Sequence, residues 1–327
     1  MGASTLLSKA AGAAAQSNGP RRIIDVHHHI LPPKFVAQYR KEIGEMGPGI
    51  NQVFDWTPKV SLDQMDQAGV ATSIISLNVP GSWFGNVQDG RRVSREVNEY
   101  AATMCKDYPG RFGFLAALPL ADIEGSLKEI EYAFDTLKSD GIGIMTSYDT
   151  MPPGLPKFAP VFDELNRRKA IVLMHRRAAS CCINLRQVEG NMEFVIDDFR
   201  AMNSLLTGGT LARCTDVRFI HAHGEQVLPY LSKHAGGGRG NPPWAPQGVL
   251  NELQKVYIDS AGNNKFNMDE MRELGTLSTR VMFGTDVPYG TVAANVQALR
   301  TQMGMTPSEI RAVEYETAQR LLPKYKV

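Results

Sequence analysis

Residues 158–175 read FAPVFDELNRRKAIVLMH. Phe158 to Lys169 has the pattern of a helix, and Ala170 to Met174 (AIVLM) is a short unbroken apolar run, the signature of a strand buried on both faces. His175 follows that run directly. A helix leading into a buried strand that ends on a histidine is the unit from which the rest of the chain can be read. Upstream, Ile23–Val26 is a β-rich run ending in histidines. Ser61 to Gly69 (SLDQMDQAG) predicts a helix with Ser61 as its cap, Leu62, Met65 and Ala68 on one face and glycine at its end. Ala71–Leu77, Phe112–Leu118 and Gly141–Met145 predict strands, separated by helices over Arg92–Tyr108 and Ser126–Lys138. Downstream, a helix over Phe194–Thr207 precedes strands at Val217–Ile220, Val256–Ile258 and Arg280–Phe283, and two helices follow near Val292–Gln302 and Pro307–Leu321. Strands alternating with helices, about eight strands in one chain without a linker, predict an α/β fold closed into a (β/α)₈ TIM barrel. Residues 21–327 form this single domain, residues 1–20 are a flexible N-terminal arm, and Gly236–Gln247 is a surface loop.

Composition narrows the function. The 327 residues are 43% hydrophobic and 21% charged, ordinary values for a chain with a full core. Lys plus Arg number 35 and Asp plus Glu 34, a formal charge of +1. No basic excess points to nucleic acid or an anionic membrane, so the expected partner is a small molecule. No stretch approaches the roughly 20 apolar residues of a membrane span. The cysteines are Cys105, Cys181, Cys182 and Cys214, without a C-x-x-C pair. In a chain this long they read as reduced thiols, which predicts a cytoplasmic protein. An export remnant in the Ala- and Ser-rich first 20 residues is the alternative.

The chemistry sits where the polar residues fall. His27 and His29 follow the first strand, His175 follows Ala170–Met174, His221 and His223 follow Val217–Ile220, and Asp286 comes shortly after Phe283. In a (β/α)₈ barrel these C-terminal strand ends form the active-site face. His27 and His29 are two apart, so in extended backbone both point the same way while His28 points elsewhere. Of the seven histidines, His27, His29, His175 and His223 fall at strand ends in a pattern that suits one metal centre. Three imidazoles and a carboxylate, His27, His29, His175 and Asp286, are donors that Zn²⁺ or Mn²⁺ takes, with a position left for water or substrate.

The motif Asp25-Val-His27-His28-His29-Ile-Leu-Pro resembles the D-x-H-x-H-x-x-P opening of the amidohydrolase-2 family, the group that includes aminocarboxymuconate-semialdehyde decarboxylase. HGEQVLP from His223 resembles its H-x-G-G-x-x-P segment, and Gly284-Thr-Asp286-Val-Pro288 its G-[ST]-D-x-P. PGSWFGN (Pro80–Asn86), SLKEIEYA, FAPVFDELNRRKA and Cys181-Cys182 are similar to the 6-methylsalicylate-decarboxylase-like members. The resemblance implies a dimeric, metal-dependent non-oxidative decarboxylase of an ortho-hydroxy aromatic acid. One divalent ion, Zn²⁺ first and Mn²⁺ second, is held by His27, His29, His175 and Asp286. His223 or Asp286 carries the proton to the ring carbon that bears the carboxylate. Arg176 or its neighbour Arg177 is a candidate grip for the substrate carboxylate, and Trp83 and Phe84 are candidate walls of an aromatic pocket. A lactone or amide hydrolase and a catalytically silent binding subunit are the rival readings. The chain departs from the family pattern at Arg176 (usually proline), Glu225 (usually glycine) and Val287 (often aromatic).

Overall fold

The computed structural model describes residues 22–45, 50–177, 179, 191–235 and 240–326. Eight strands run in chain order around a barrel: β1 (Ile23–Ile30), β2 (Val70–Leu77), β3 (Phe112–Ala117), β4 (Gly141–Met145), β5 (Ile171–His175), β6 (Arg218–His221), β7 (Tyr257–Asp259) and β8 (Val281–Met282). Each pairs with the next in parallel register. β8 is only two residues long, so the chain beyond it makes the seam. The carbonyl of Phe283 accepts from the N–H of Val26 and that of Val287 from the N–H of His29, both at 2.9 Å. The carbonyl of His27 accepts from Thr285 and Asp286 N–H at 3.2 and 2.9 Å. The motif GTDVP thus closes the barrel and presents Asp286 with the same few residues. Gly284 has no room for a side chain, because a Cβ there would meet that of Asp259 at 2.7 Å.

The histidines do not follow the first strand, as the sequence suggested, but lie within it. β1 runs on to Ile30 because its ladder with β2 continues to Leu77, with a register shift between Asp25 and His28. His175 and His221 are likewise the last residues of their strands. Ser61 is not the helix cap that was expected. That helix starts at Pro58, where Thr57 accepts from the N–H of Val60 at 3.3 Å, and Ser61 is buried inside it. Helices at Pro33–Gly44, Val227–His234 and Lys265–Glu273 were not predicted. The first starts on a proline at N1 and the last on an Asn264 capping box, both start signals in their own right. Residues 1–20, Cys181 and Cys182 lie outside the described residues. Among the described residues no helix is long and apolar enough to cross a membrane.

Two apolar layers hold the barrel. Ile24, Val26, Ile74, Leu115, Leu173, Ile220 and Met282 fill its interior. The C-terminal segment closes one end of that interior with Ala318, Leu322 and Tyr325. A larger cluster packs the helices onto the outside of the strands.

Candidate metal centre and active site

β1 places His27 and His29 so that their Nε2 atoms are 3.1 Å apart. β5 brings His175 Nε2 to 3.1 Å from His29 Nε2. From the seam, Asp286 sets Oδ1 at 3.2 Å from His27 Nε2, 3.0 Å from His29 Nε2 and 3.7 Å from His175 Nε2. Its other oxygen, Oδ2, lies 3.4 Å from His223 Nε2. Taking one donor atom each, His27, His175, His223 and Asp286 all lie within 4.8 Å of one another. The three histidines are buried, and Asp286 keeps 22% side-chain exposure, the opening of the cluster.

Neighbouring groups decide which nitrogen faces the centre. His27 Nδ1 lies 3.0 Å from Asp259 Oδ2. A carboxylate only accepts, so Nδ1 carries the hydrogen and Nε2 offers a lone pair. His223 Nδ1 likewise donates to the carbonyl of Ala261 at 3.3 Å, which leaves its Nε2 as the atom that exchanges a proton. His29 Nδ1 meets the hydroxyl of Ser76 at 3.3 Å. Several electron-pair donors therefore converge with too few hydrogens between them, and His223 Nε2 has no hydrogen-bond partner although buried. A divalent cation is the species that satisfies such a set, so the residues fit a metal ion.

The electrostatics agree. Burial pushes the His27 imidazole down, but the carboxylates of Asp259 and Asp286 outweigh it and hold it up at about 10, so a cation taking the Nε2 lone pair must displace a proton from it. Burial resists ionisation of Asp286, yet His27 and His223 outweigh it and keep that carboxylate well below its usual range. Burial lowers His29, and lowers His175 strongly, so both rings present neutral lone pairs. The same negative field that raises His27 attracts a cation.

Both His223 and Asp286 have left-handed backbone, with φ of 55° and 54°. Each costs on the order of 1–3 kcal/mol in a non-glycine residue, and such strain clusters at functional sites. Asp25 secures the base of the seam. It accepts from the Thr285 hydroxyl at 2.6 Å and the Thr285 N–H at 3.2 Å, from the His27 N–H at 3.1 Å and from His28 Nδ1 at 2.9 Å. His28 points away from the centre, its Nε2 at 2.7 Å from the Ser61 hydroxyl.

The other sequence candidates have partners of their own. Arg176 is committed to buried Asp198 at 2.8 Å, which also sits 3.4 Å from His221 Nε2. Trp83 is buried, with Nε1 donating to Asp149 at 2.9 Å. Phe84 stacks flat on Tyr39, ring centroids 3.8 Å apart. Glu225 is buried against the site, and that burial raises its carboxyl to about 7. Sequence reasoning overlooked Asp259, Ser76 and Asp198. Asp259 ends β7 as His175 ends β5, and the strand-end rule extended to the run VYID would have found it.

The family model described as Amidohydrolase matches residues 24–324. The chain belongs to the amidohydrolase family. This amidohydrolase is 32% identical to the decarboxylase yanB of Aspergillus niger, over 93% of this chain and 88% of the relative. It is 30% identical to the 6-methylsalicylic acid decarboxylase of Penicillium expansum, over 81% and 84% of the two chains. The barrel is similar to that of the 5-carboxyvanillate decarboxylase of Novosphingobium aromaticivorans, solved with manganese and 4-hydroxy-3-methoxy-5-nitrobenzoic acid. The TM-score is 0.81 at 18% identity, covering 93% of this chain and 96% of that one.

Proposed function

We propose that this amidohydrolase is a metal-dependent, non-oxidative decarboxylase of a small ortho-hydroxy aromatic acid of the 6-methylsalicylate kind. One observation carries the reading. Asp286 turns one oxygen to three imidazole nitrogens and the other to His223 Nε2, which lacks a hydrogen-bond partner. A proton carrier thus stands beside a cation site, and the relatives named above are decarboxylases.

His27, His29, His175 and Asp286 would hold the ion. Bound there, it supplies Lewis-acid stabilisation of negative charge on the substrate oxygens. The imidazole-rich donor set favours Zn²⁺, with Mn²⁺ the alternative that the 5-carboxyvanillate decarboxylase contains. His223, protonated on Nε2, delivers that proton to the ring carbon bearing the carboxylate. The bond between that carbon and the carboxylate then breaks, carbon dioxide leaves, and the electron pair restores the aromatic ring. The neutral imidazole regains its proton from water, while Ala261 keeps the ring oriented through Nδ1. The resemblance further supports a homodimer, which sedimentation in solution tests, and the reading of the cysteines as reduced thiols supports a cytoplasmic location.

The deciding experiment loads purified protein with Zn²⁺ or Mn²⁺ and measures carbon dioxide from 6-methylsalicylate and a panel of hydroxybenzoates. His223→Gln is expected to lower kcat by about 10²–10⁴-fold with metal content unchanged. Hydrolysis of lactones without carbon dioxide release would overturn the proposal in favour of a hydrolase. Less than about half an ion per chain would point instead to a silent binding subunit.

A further inference from the structure

Arg177 lies two residues beyond His175 in the direction of β5, one step further out from the barrel. It is a buried arginine, 9% exposed. Its main chain is fixed by the Thr146 hydroxyl, which accepts from the Arg177 N–H at 2.8 Å and donates to the Arg177 carbonyl at 3.1 Å. Its guanidinium donates through Nη1 to the Trp83 carbonyl at 3.1 Å, and among the described residues no carboxylate lies within ion-pair distance of it. The two nearby carboxylates are engaged elsewhere. Asp149 accepts from Trp83 Nε1 at 2.9 Å, and Asp197 pairs with Arg200 at 2.8 Å. Arg176, next in the chain, shows the contrast, since its charge is met by Asp198 at 2.8 Å.

A buried guanidinium hydrogen-bonded to one neutral carbonyl is costly unless an anion completes it. The neighbours of its contacts indicate where that anion comes from. Ser82, next to Trp83, and Met145, next to Thr146, line a cavity together with Gly81, Tyr148 and His175 of the proposed ion site. Thr146 follows the end of β4 and Arg177 lies two residues past the end of β5, so this buried arginine sits on the barrel face that carries His175. Its planar fork matches a carboxylate in two-point contact.

We propose that Arg177 is the carboxylate-binding residue of this enzyme, engaging the acid group of the aromatic substrate and supplying the counter-charge that the free protein withholds. The inference rests on the decarboxylase reading for its substrate class and deepens it. It also separates the two adjacent arginines. Arg176 is structural, and Arg177 selects for an acid over the phenol that decarboxylation leaves behind.

The test is calorimetric binding to metal-loaded wild type, Arg177→Gln and Arg177→Lys, using 6-methylsalicylate and its decarboxylated phenol, 3-methylphenol, as paired ligands. Arg177→Gln, which keeps a donor for the Trp83 carbonyl, is expected to weaken the acid by about 30-fold or more and to leave the phenol within about threefold. Arg177→Lys keeps the charge without the fork and is expected to fall between. The thermal midpoint of Arg177→Gln should not drop, because an uncompensated buried charge is removed. Equal losses for acid and phenol, or no loss for either, would overturn the assignment, as would a lowered midpoint with unchanged acid affinity. If wild type releases no carbon dioxide but binds the acid through Arg177, the decarboxylase reading fails and this assignment stands. If carbon dioxide is released and Arg177→Gln binds the acid normally, the reverse holds.

Discussion

The two ends of the barrel are built from the same strands and do opposite things. At the closed end, Asp140 accepts from the Phe114 N–H at 3.0 Å and the Tyr325 hydroxyl at 2.8 Å, with Lys324 paired to its other oxygen at 2.5 Å. Tyr325 lies so close to Gly113 that a Cβ there would meet its hydroxyl at 2.2 Å. At the open end, His175 Nδ1, Arg176 Nε, His221 Nδ1, His223 Nε2 and Glu225 Oε2 are buried without hydrogen-bond partners, and His223 and Asp286 hold strained backbone. At the first end these charged groups are matched and the interior is filled, although the Ser73 and Ser139 hydroxyls lack partners. The other keeps unmet polar atoms, which a protein tolerates where an ion or substrate will complete them. Stability and chemistry are thus divided along the barrel axis.

The largest effect should come from breaking the open end alone. His175→Ala removes a ligand atom 3.1 Å from His29 Nε2. It is expected to abolish stoichiometric metal binding and to lower carbon dioxide release by about 10³-fold or more, the scale of several kcal/mol of lost charge stabilisation. Metal analysis beside the activity assay checks this. A variant with a full complement of ion would show that His175 is not a ligand.

That open end was also the more legible in sequence. A histidine after an apolar run, an alternating pair in β1 and an aspartate in GTDVP are local signals, and the barrel brings strand ends together whatever the intervening helices do. The eight strands were legible because buried parallel strands are short apolar runs. Less legible were elements whose role is set by distant contacts. Ser61 looked like a cap because serine often is one, yet its hydroxyl is taken by His28 and the Trp56 indole. The plug formed by Ala318, Leu322 and Tyr325 carries no signal of which cavity it enters. Asp259 and Asp198 act through other residues, so nothing in their immediate sequence announces them.

The reverse break removes a piece of the plug. Leu322 is 5% exposed and packs into the barrel interior. Leu322→Ala should destabilise the protein by about 2–5 kcal/mol through lost burial and the cavity left behind. Metal content and kcat should stay near wild type at temperatures where the variant is folded. Chemical denaturation paired with the activity assay reads both. A proportional loss of kcat in the folded variant would mean that the two ends are coupled.

Asp259→Asn offers a subtler break, because it changes no shape. In the native site one Asp259 oxygen accepts from His27 Nδ1 at 3.0 Å and the other from the Ala261 N–H at 2.8 Å. Both positions need acceptors, and an amide has only one. If the amide nitrogen faces His27, the imidazole must flip its tautomer and put a hydrogen on Nε2, pointed into the cation site. If it faces Ala261, a main-chain bond next to the carbonyl that orients His223 is lost. Either way the negative charge beside His27 is gone. The expected cost is about 10–100-fold in metal affinity, smaller than the loss of a direct ligand, with little change in thermal stability. Titration of the metal-free variant with Zn²⁺ or Mn²⁺ measures it. Wild-type affinity would mean that the tautomer of His27 is set by the ion itself, and that the open end needs less preparation by its surroundings than its geometry suggests.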